Sequence, residues 1–311
     1  MKWRCTALND SHFLLAFDFG GTKLAIATTD MSGTILHQSQ IKVSECEGGA
    51  DALSQALVIG RELADRLQYE GRIRLAGIGV STMGITLADQ VLMAPNISGW
   101  ESLQIPAAFE ASFPGVPVRI TNDMKAGALA ELRRGALRGS RAGIYVNTGT
   151  GLGVTLTLGN QVVEGAHGAS GELAYNLLSN GSSVGFRDGI TPLENYAGGR
   201  GIGQRASVRF GQDMTCEEAF HLSHTDVGIH EFIDDTLREL AFHLTNLAIA
   251  WDPDKVVFGG GMVASWDVIS PPVIDYFQRF VPFPPAVEVA LFKDNAGLQG
   301  AIELARDASR K

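Results

Sequence analysis

Phe13-Leu14-Leu15-Ala16-Phe17-Asp18-Phe19-Gly20-Gly21-Thr22-Lys23 and Gly143-Ile144-Tyr145-Val146-Asn147-Thr148-Gly149-Thr150-Gly151-Leu152-Gly153 are two versions of one turn. In each, a β-rich run meets a Gly- and Thr-rich bend and a second β-rich run follows, Leu24 to Thr29 after the first and Val154 to Leu158 after the second. Both read as hairpins whose glycines let the backbone bend with its N–H groups unobstructed. Convergent N–H groups and Thr hydroxyls make an anion-binding concavity. A pair of them suits a polyphosphate such as that of ATP, held between two halves of one chain. A tight hairpin needs the same residues for geometry alone, so either turn by itself is weak evidence.

A third bend, Gly259-Gly260-Gly261, separates the strand-like Lys255-Val256-Val257-Phe258 from a segment with helical character. Nucleotides commonly sit at such strand–glycine–helix junctions. With 311 residues, the chain is about twice the usual domain length and long enough to bury roughly 75% of its unfolded surface. The formal charge of -9 and the lack of a basic tract disfavour nucleic acid or an anionic membrane as the main partner. Arg133, Arg134, Arg138 and Arg141 are the nearest approach to one and read as a solvated helix end. Net charge does not exclude ATP, because local donors act at a few ångströms while charge is screened over about 8 to 10 Å.

Cys5, Cys46 and Cys216 are an odd set without a Cys-x-x-Cys spacing, as expected of a reduced cytoplasmic protein. The apolar run Phe13 to Phe17 is too short for a signal core, and no run approaches the roughly 18 apolar residues of a membrane span.

Helical spacing covers 50–69, a buried strand covers 73–80, and a helix-like stretch from Trp100 to Phe113 leads to the strand Pro117 to Ile120. The second half repeats the scheme, with its hairpin at 143–158, a long amphipathic helix over about 228–250 and the strand 255–258. The expected lobes are 1–121 and 122–296, with the hinge near 121–142.

Thr121-Asn122-Asp123 ends a strand and opens the helix that begins at Met124. Asn122 and Asp123 suit helix capping. At a strand-to-helix corner facing two phosphate cradles, a carboxylate can also take the proton of an attacking hydroxyl, which makes Asp123 the candidate base. Asn96, Glu172 and Glu194 offer amide and carboxylate groups able to bridge neighbouring hydroxyls, although isolated loop carboxylates are more often simply solvated.

The six segments Asp18 to Lys23, Pro95-Asn96 with Gly99-Trp100, Asn122-Asp123 with Ala128 and Glu131, Asn147 to Gly153, Glu164 to Glu172, and Gly259 to Met262 together resemble the ROK family of sugar kinases and repressors. The resemblance runs over nearly the whole chain in the family's order. It implies an α/β, two-lobed actin-like ATPase fold of duplicated ribonuclease-H-like topology with a central cleft, a C-terminal helix at about 297–311 joined to the first lobe, and an ATP-dependent kinase of a sugar or polyol. Position by position, it implies that Asp123 is the catalytic base. Gly84, Asn96, Asn122, Glu172, Tyr175 and Glu194 would line the substrate site. Gly20, Gly21, Thr22, Lys23, Thr148, Gly149, Thr150 and Gly151 would hold phosphates, Gly259 and Gly260 would approach the adenosine, and Asp18 would place Mg²⁺ through water. A small-molecule sugar or polyol and a second copy of the chain, as a homodimer, are the expected partners, with no nucleic acid and no membrane.

Zinc-binding relatives carry one His and three Cys where this chain has Tyr175, Gly185, Arg187 and Pro192, and the spacing to Glu194 is kept. Thiolate or imidazole coordination is therefore not possible at those positions, and no structural zinc is expected. Tyr175, Arg187 and Asp188 are expected to hold the loop instead. The family's His also lies near the sugar's anomeric end, so Tyr175 points to a substrate other than glucose, such as a modified or amino sugar or a carbocyclic analogue. A repressor of this resemblance would need a helix-turn-helix ahead of the first hairpin, where only residues 1–12 precede Phe13, so DNA binding is not expected. A non-catalytic sugar sensor and a polyphosphate donor remain open alternatives at this level.

Overall fold

The computed structural model describes residues 12–71, 73–86, 91–92, 98–293 and 295–310. The chain forms two compact units, one of Met1–Ala130, Ala166–Gly168 and Asn295–Lys311, the other of Glu131–Gly165 and Ala169–Asp294.

In the first unit, strands β1 (His12–Phe19), β2 (Lys23–Thr29) and β3 (Ile35–Lys42) form an antiparallel meander, and helix α1 (Gly49–Gly71) leads back to β4 (Arg74–Thr82), which lies parallel to β1. A short antiparallel pair, β5 (Ile85–Thr86) and β6 (Val91–Leu92), and helix α2 (Ile105–Ser112) precede β7 (Val118–Asn122), parallel to β4, which runs into helix α3 (Asp123–Arg134). The five-stranded order is β3-β2-β1-β4-β7.

The second unit repeats that order. Strands β8 (Ala142–Thr148), β9 (Leu152–Leu158) and β10 (Gln161–Val162) form the meander, and helices α4 (Pro192–Ala197), α5 (Gly199–Phe210), α6 (Cys216–Leu222) and α7 (Val227–Trp251) follow. Strand β11 (Lys255–Gly259) is parallel to β8, helix α8 (Trp266–Phe280) crosses over, and β12 (Ala286–Val289) is parallel to β11, giving β10-β9-β8-β11-β12. Helix α9 (Ala296–Ala308) belongs to the first unit. The hairpins and the long helix thus stand where the hydrophobic periodicity places them.

Alternation along β1 divides its side chains between two layers. Leu15, Phe17 and Phe19 join the core beneath α1 and α2, with Trp100, Phe109 and Phe113. Ala16 faces the other way, against Leu298, Ala301 and Ile302 of α9. The small residues are required there, since a β-carbon at Gly79 of β4 would collide with the Ala301 carbonyl. Asp18 lies on this α9 face too, where a β-carbon at Gly297 would strike its carboxylate. The pleat therefore delivers the one acidic side chain of β1 to the start of α9.

The stretch from Trp100 to Phe113 differs from a single helix. A 3₁₀ turn covers Trp100–Ser102, Leu103 is extended, and the α-helix starts only at Ile105. Pro106 has no N–H to donate and fits only the first helical turn, which sets that start. Trp100 is fully buried, its indole N–H donating to Thr82 Oγ1 at 2.9 Å, so the preceding turn is fixed by packing rather than by helical pairing.

Candidate functional site

Parallel pairing brings three polar strand ends into line in the first unit. Asp18 pairs with Ser81, Ser81 with Thr121, and Thr82 with Asn122. Loops after the carboxyl ends of parallel strands are where α/β proteins place ligands. Asn122 is buried and its Oδ1 accepts the Lys125 N–H at 2.8 Å, so it caps α3; Asp123 Oδ1 accepts the Met124 N–H at 2.9 Å. Capping is thus the role of Asn122, and these bonds leave Asp123 Oδ2 and the Asn122 NH₂ group for other work.

Asp123 is reached by solvent although protein surrounds it closely, and this desolvation pushes its carboxyl up, against the stabilising Met124 N–H. Burial raises the Asp18 carboxyl to about 6. The Asp123 charge adds to that rise, while the nearby Ser81 hydroxyl, the Lys23 ammonium and the Leu298 N–H oppose it. The Ser81 hydroxyl is short of hydrogen-bond geometry and, among the described residues, is buried without a partner. Two carboxylates and an unsatisfied hydroxyl thus share the end of one sheet.

The turn after β1 is stitched by the Gly20 N–H donating to the Lys23 carbonyl at 3.1 Å, and Gly21, Thr22 and Lys23 are exposed. Gly84 follows β4 with φ 85°, a left-handed conformation that favours glycine. Asn96 lies outside the described residues. Lys125 is buried, and its Nζ donates to the Gly168 carbonyl, which ties the segment Ala166–Gly168 to the first unit.

In the second unit, the turn after β8 is held from several sides. The Gly199 and Arg200 N–H groups donate to the Gly149 and Thr150 carbonyls at 2.9 and 3.0 Å, and Gly149 N–H closes on the Gly151 carbonyl at 3.0 Å. Glu194 Oε2 accepts the Leu152 N–H at 2.9 Å, and Oε1 accepts the Thr191 hydroxyl at 3.3 Å. A β-carbon at Gly151 would collide with Glu194 Oε2. Thr148 is fully buried and donates its hydroxyl to the Gly259 carbonyl at 3.3 Å.

Gly149 and Thr150 open into a cavity of about 690 Å³. Met214, Phe220 and Met262 supply apolar wall, and Arg200, Gln204 and Thr215 supply polar groups. The size and mixed lining suit a nucleoside. Of the glycine triplet, Gly261 lines this space, whereas a β-carbon at Gly259 would meet the Tyr145 ring and one at Gly260, φ 87°, the Thr148 carbonyl. Sequence reasoning missed the other wall. Its signal was the cluster Gly198-Gly199-Arg200-Gly201-Ile202-Gly203, where the small residues let α5 reach the turn.

Glu172, Tyr175 and Glu194 are brought together in the second unit. Burial pushes the Tyr175 phenol up, and the charges of Glu172 and Glu194 add to it. The loop between them is closed by apolar and backbone contacts. Tyr175 packs edge-on against Phe186, with ring centroids 5.4 Å apart, and the Gly185 N–H donates to Asp188 Oδ2 at 2.9 Å. Arg187 is exposed and, among the described residues, makes no ion pair, so Phe186 takes the part expected of it. Among the described residues no three His, Cys, Asp or Glu side chains converge as a metal group, and no helix is long and apolar enough to cross a membrane.

The profile described as the ROK family matches residues 14–308. Over 325 aligned positions the chain is 29% identical to a glucokinase of Streptomyces coelicolor, covering 94% of this chain and 97% of that one. It is 28% identical to a kanosamine kinase of Amycolatopsis mediterranei, with 94% and 95% covered. Among solved structures, a ROK hexokinase from Thermus thermophilus superposes with a TM-score of 0.80 at 29% identity, covering 94% of this chain and 97% of the other.

Proposed function

The chain belongs to the ROK family, and on that premise we propose that it is an ATP-dependent carbohydrate kinase that transfers the γ-phosphoryl group to a primary hydroxyl of a sugar or sugar-like polyol. The observation that carries this reading is Asp123: a solvent-reached carboxylate at the end of a parallel strand, with its Oδ1 held by the Met124 N–H and its carboxyl pushed up by desolvation. A base whose pKa is raised toward the working pH couples better to a proton in flight.

In the proposed reaction the acceptor hydroxyl gives its proton to Asp123 as its oxygen attacks the γ-phosphorus, and the bond to the ADP oxygen breaks in line. Asn122, Glu172 and Glu194 hold the hydroxyls of the acceptor, with Gly84 and Tyr175 beside it. The turn at Thr148 to Gly151 and the adjoining cavity take the nucleotide, and the turn at Gly20 to Lys23 contributes N–H groups and the Lys23 ammonium to its phosphates. Asp18 suits Mg²⁺ held through water, since the unpartnered Ser81 hydroxyl beside it offers another oxygen for that shell. When bound, the ion supplies neutralisation of phosphate charge.

The nature of the acceptor rests on Tyr175. Burial, with the charges of Glu172 and Glu194 added, pushes the phenol further up, so it stays neutral as any tyrosine does, and a neutral phenol in place of the imidazole usual in relatives supports an acceptor that differs from glucose near its anomeric end. The test is an ADP-release screen over hexoses, amino sugars, N-acetyl sugars and cyclitols, with Asp123→Asn as the control. Turnover with one class, abolished in the variant, is expected. No turnover with any class, or a variant as fast as the parent, would remove the reading.

A further inference from the structure

Helix α5 begins with Gly199 and Arg200 and has no acidic residue in its first turn. A cation there is unfavourable on its own, because the exposed N–H groups of a helix start carry partial positive charge. Three other arginines of the second unit have partners, whereas the exposed Arg187, away from the cavity, makes no ion pair among the described residues. Arg205 lies over the Tyr196 ring at 3.6 Å, Arg238 pairs with Asp234, and Arg279 pairs with Asp275. Arg200 is exposed, and among the described residues its guanidinium has neither an ion pair nor a hydrogen bond. Its backbone is fixed all the same, since its N–H donates to the Thr150 carbonyl at 3.0 Å. It lines the 690 Å³ cavity together with Gly149 and Thr150, and among the described residues it is the only cationic one in that lining.

We propose that Arg200 is a donor-binding residue whose guanidinium grips the phosphate chain of the nucleotide where it passes the Thr148–Gly151 turn. This rests on the kinase reading and adds to it a cation from the second unit, independent of Lys23. The two observations reinforce each other: an unpaired cation placed against the grain of a helix start, and a nucleoside-sized cavity whose rim it occupies. An anion at the rim relieves the first and completes the second. A guanidinium suits the task better than an ammonium, since its planar fork can donate two parallel hydrogen bonds to one phosphate.

The experiment measures ADP and ATP affinity by calorimetry on the full-length protein, alongside steady-state kinetics, for the parent, Arg200→Gln and Arg200→Lys. Loss of a charge-assisted pair is expected to weaken ADP binding by about tenfold to a hundredfold and to raise KM for ATP by a similar factor. KM for the acceptor should move by less than about twofold, as a purely donor-side contact requires. Arg200→Lys should fall between the other two. The melting temperature of unliganded Arg200→Gln should hold or rise, because a repulsive charge leaves the helix start. Unchanged ADP affinity in Arg200→Gln, or a lowered melting temperature with equal changes in both KM values, would overturn the inference while leaving the kinase reading intact. A parent that binds neither nucleotide would overturn both.

Discussion

The turns at 20–23 and 148–151 occupy the same place in two sheets of identical strand order, yet their surroundings are opposites. The first is open: Gly21, Thr22 and Lys23 are exposed, and its chemistry comes from the strand before it, where Asp18 meets Ser81 and the start of α9. The second is gripped by α5, by Glu194 and by the Gly259 to Gly261 bend, and opens on a cavity. One topology carries two carboxylates at the end of its sheet in one copy and a nucleotide-sized space in the other. The difference lies not in the turns but in which helices pack behind them.

Substitutions can break this contrast at either end. The largest effect is expected from Asp123→Asn, which should lower kcat by about 10²- to 10⁴-fold in the ADP-release assay while nucleotide affinity holds. Loss of nucleotide binding instead would place Asp123 with the donor rather than the acceptor.

Asp18→Asn should raise stability while depressing activity. The folded-state carboxyl sits at about 6 against 3.8 for the ordinary group, so ionisation is the costlier form in the native protein. The penalty is absent below about pH 4, grows through the interval to about 6 and is complete above it, by the linkage of protonation to folding. Urea unfolding at pH 4, 5, 6 and 8 should show the variant's advantage growing to about 1–3 kcal/mol and then levelling, after discounting for residual solvent contact. An advantage that is flat with pH would mean that the carboxyl is not perturbed.

Gly151→Ala puts a β-carbon into Glu194 and should cost about 1–3 kcal/mol of stability, as overpacking usually does. Gly261→Ala, with nothing within 4 Å of the added carbon, should leave stability unchanged and affect only nucleotide affinity. Equal melting temperatures for the two variants would contradict the gripped state of the second turn. The smallest change is expected for Tyr175→Phe, which should lower kcat/KM for the acceptor by about three- to tenfold, the worth of one hydrogen bond, and leave KM for ATP alone.

The duplicated architecture was legible because it is written in local patterns. Alternating residues around Asp18-Phe19-Gly20-Gly21 and Asn147-Thr148-Gly149-Thr150 mark hairpins, and the long helices show their apolar stripes. The strand-to-helix corner at Asn122-Asp123 was legible for the same reason. Less legible was the stretch after Trp100, where helical spacing concealed a 3₁₀ turn imposed by a buried indole and a proline. The nucleotide-sized cavity was half seen. Gly149 and Thr150 were in view, but Arg200, Met214 and Phe220 come from elements about 50 or more positions further on, and only Gly261, not its two neighbours, turns to the space.

By itself, the sequence determined what kind of backbone each segment would form, since hydrogen-bonding geometry and the spacing of apolar side chains act over a few residues. Tertiary structure decided which groups would meet. Asp18 acquires its raised carboxyl only because the pleat buries it toward α9, where desolvation outweighs the opposing Ser81 hydroxyl set beside it by strand register, and Glu194 is committed to a hairpin 42 residues away in the chain. Electric fields and desolvation depend on distance in space rather than along the chain, so the chemistry of those carboxylates is a property of the packed molecule.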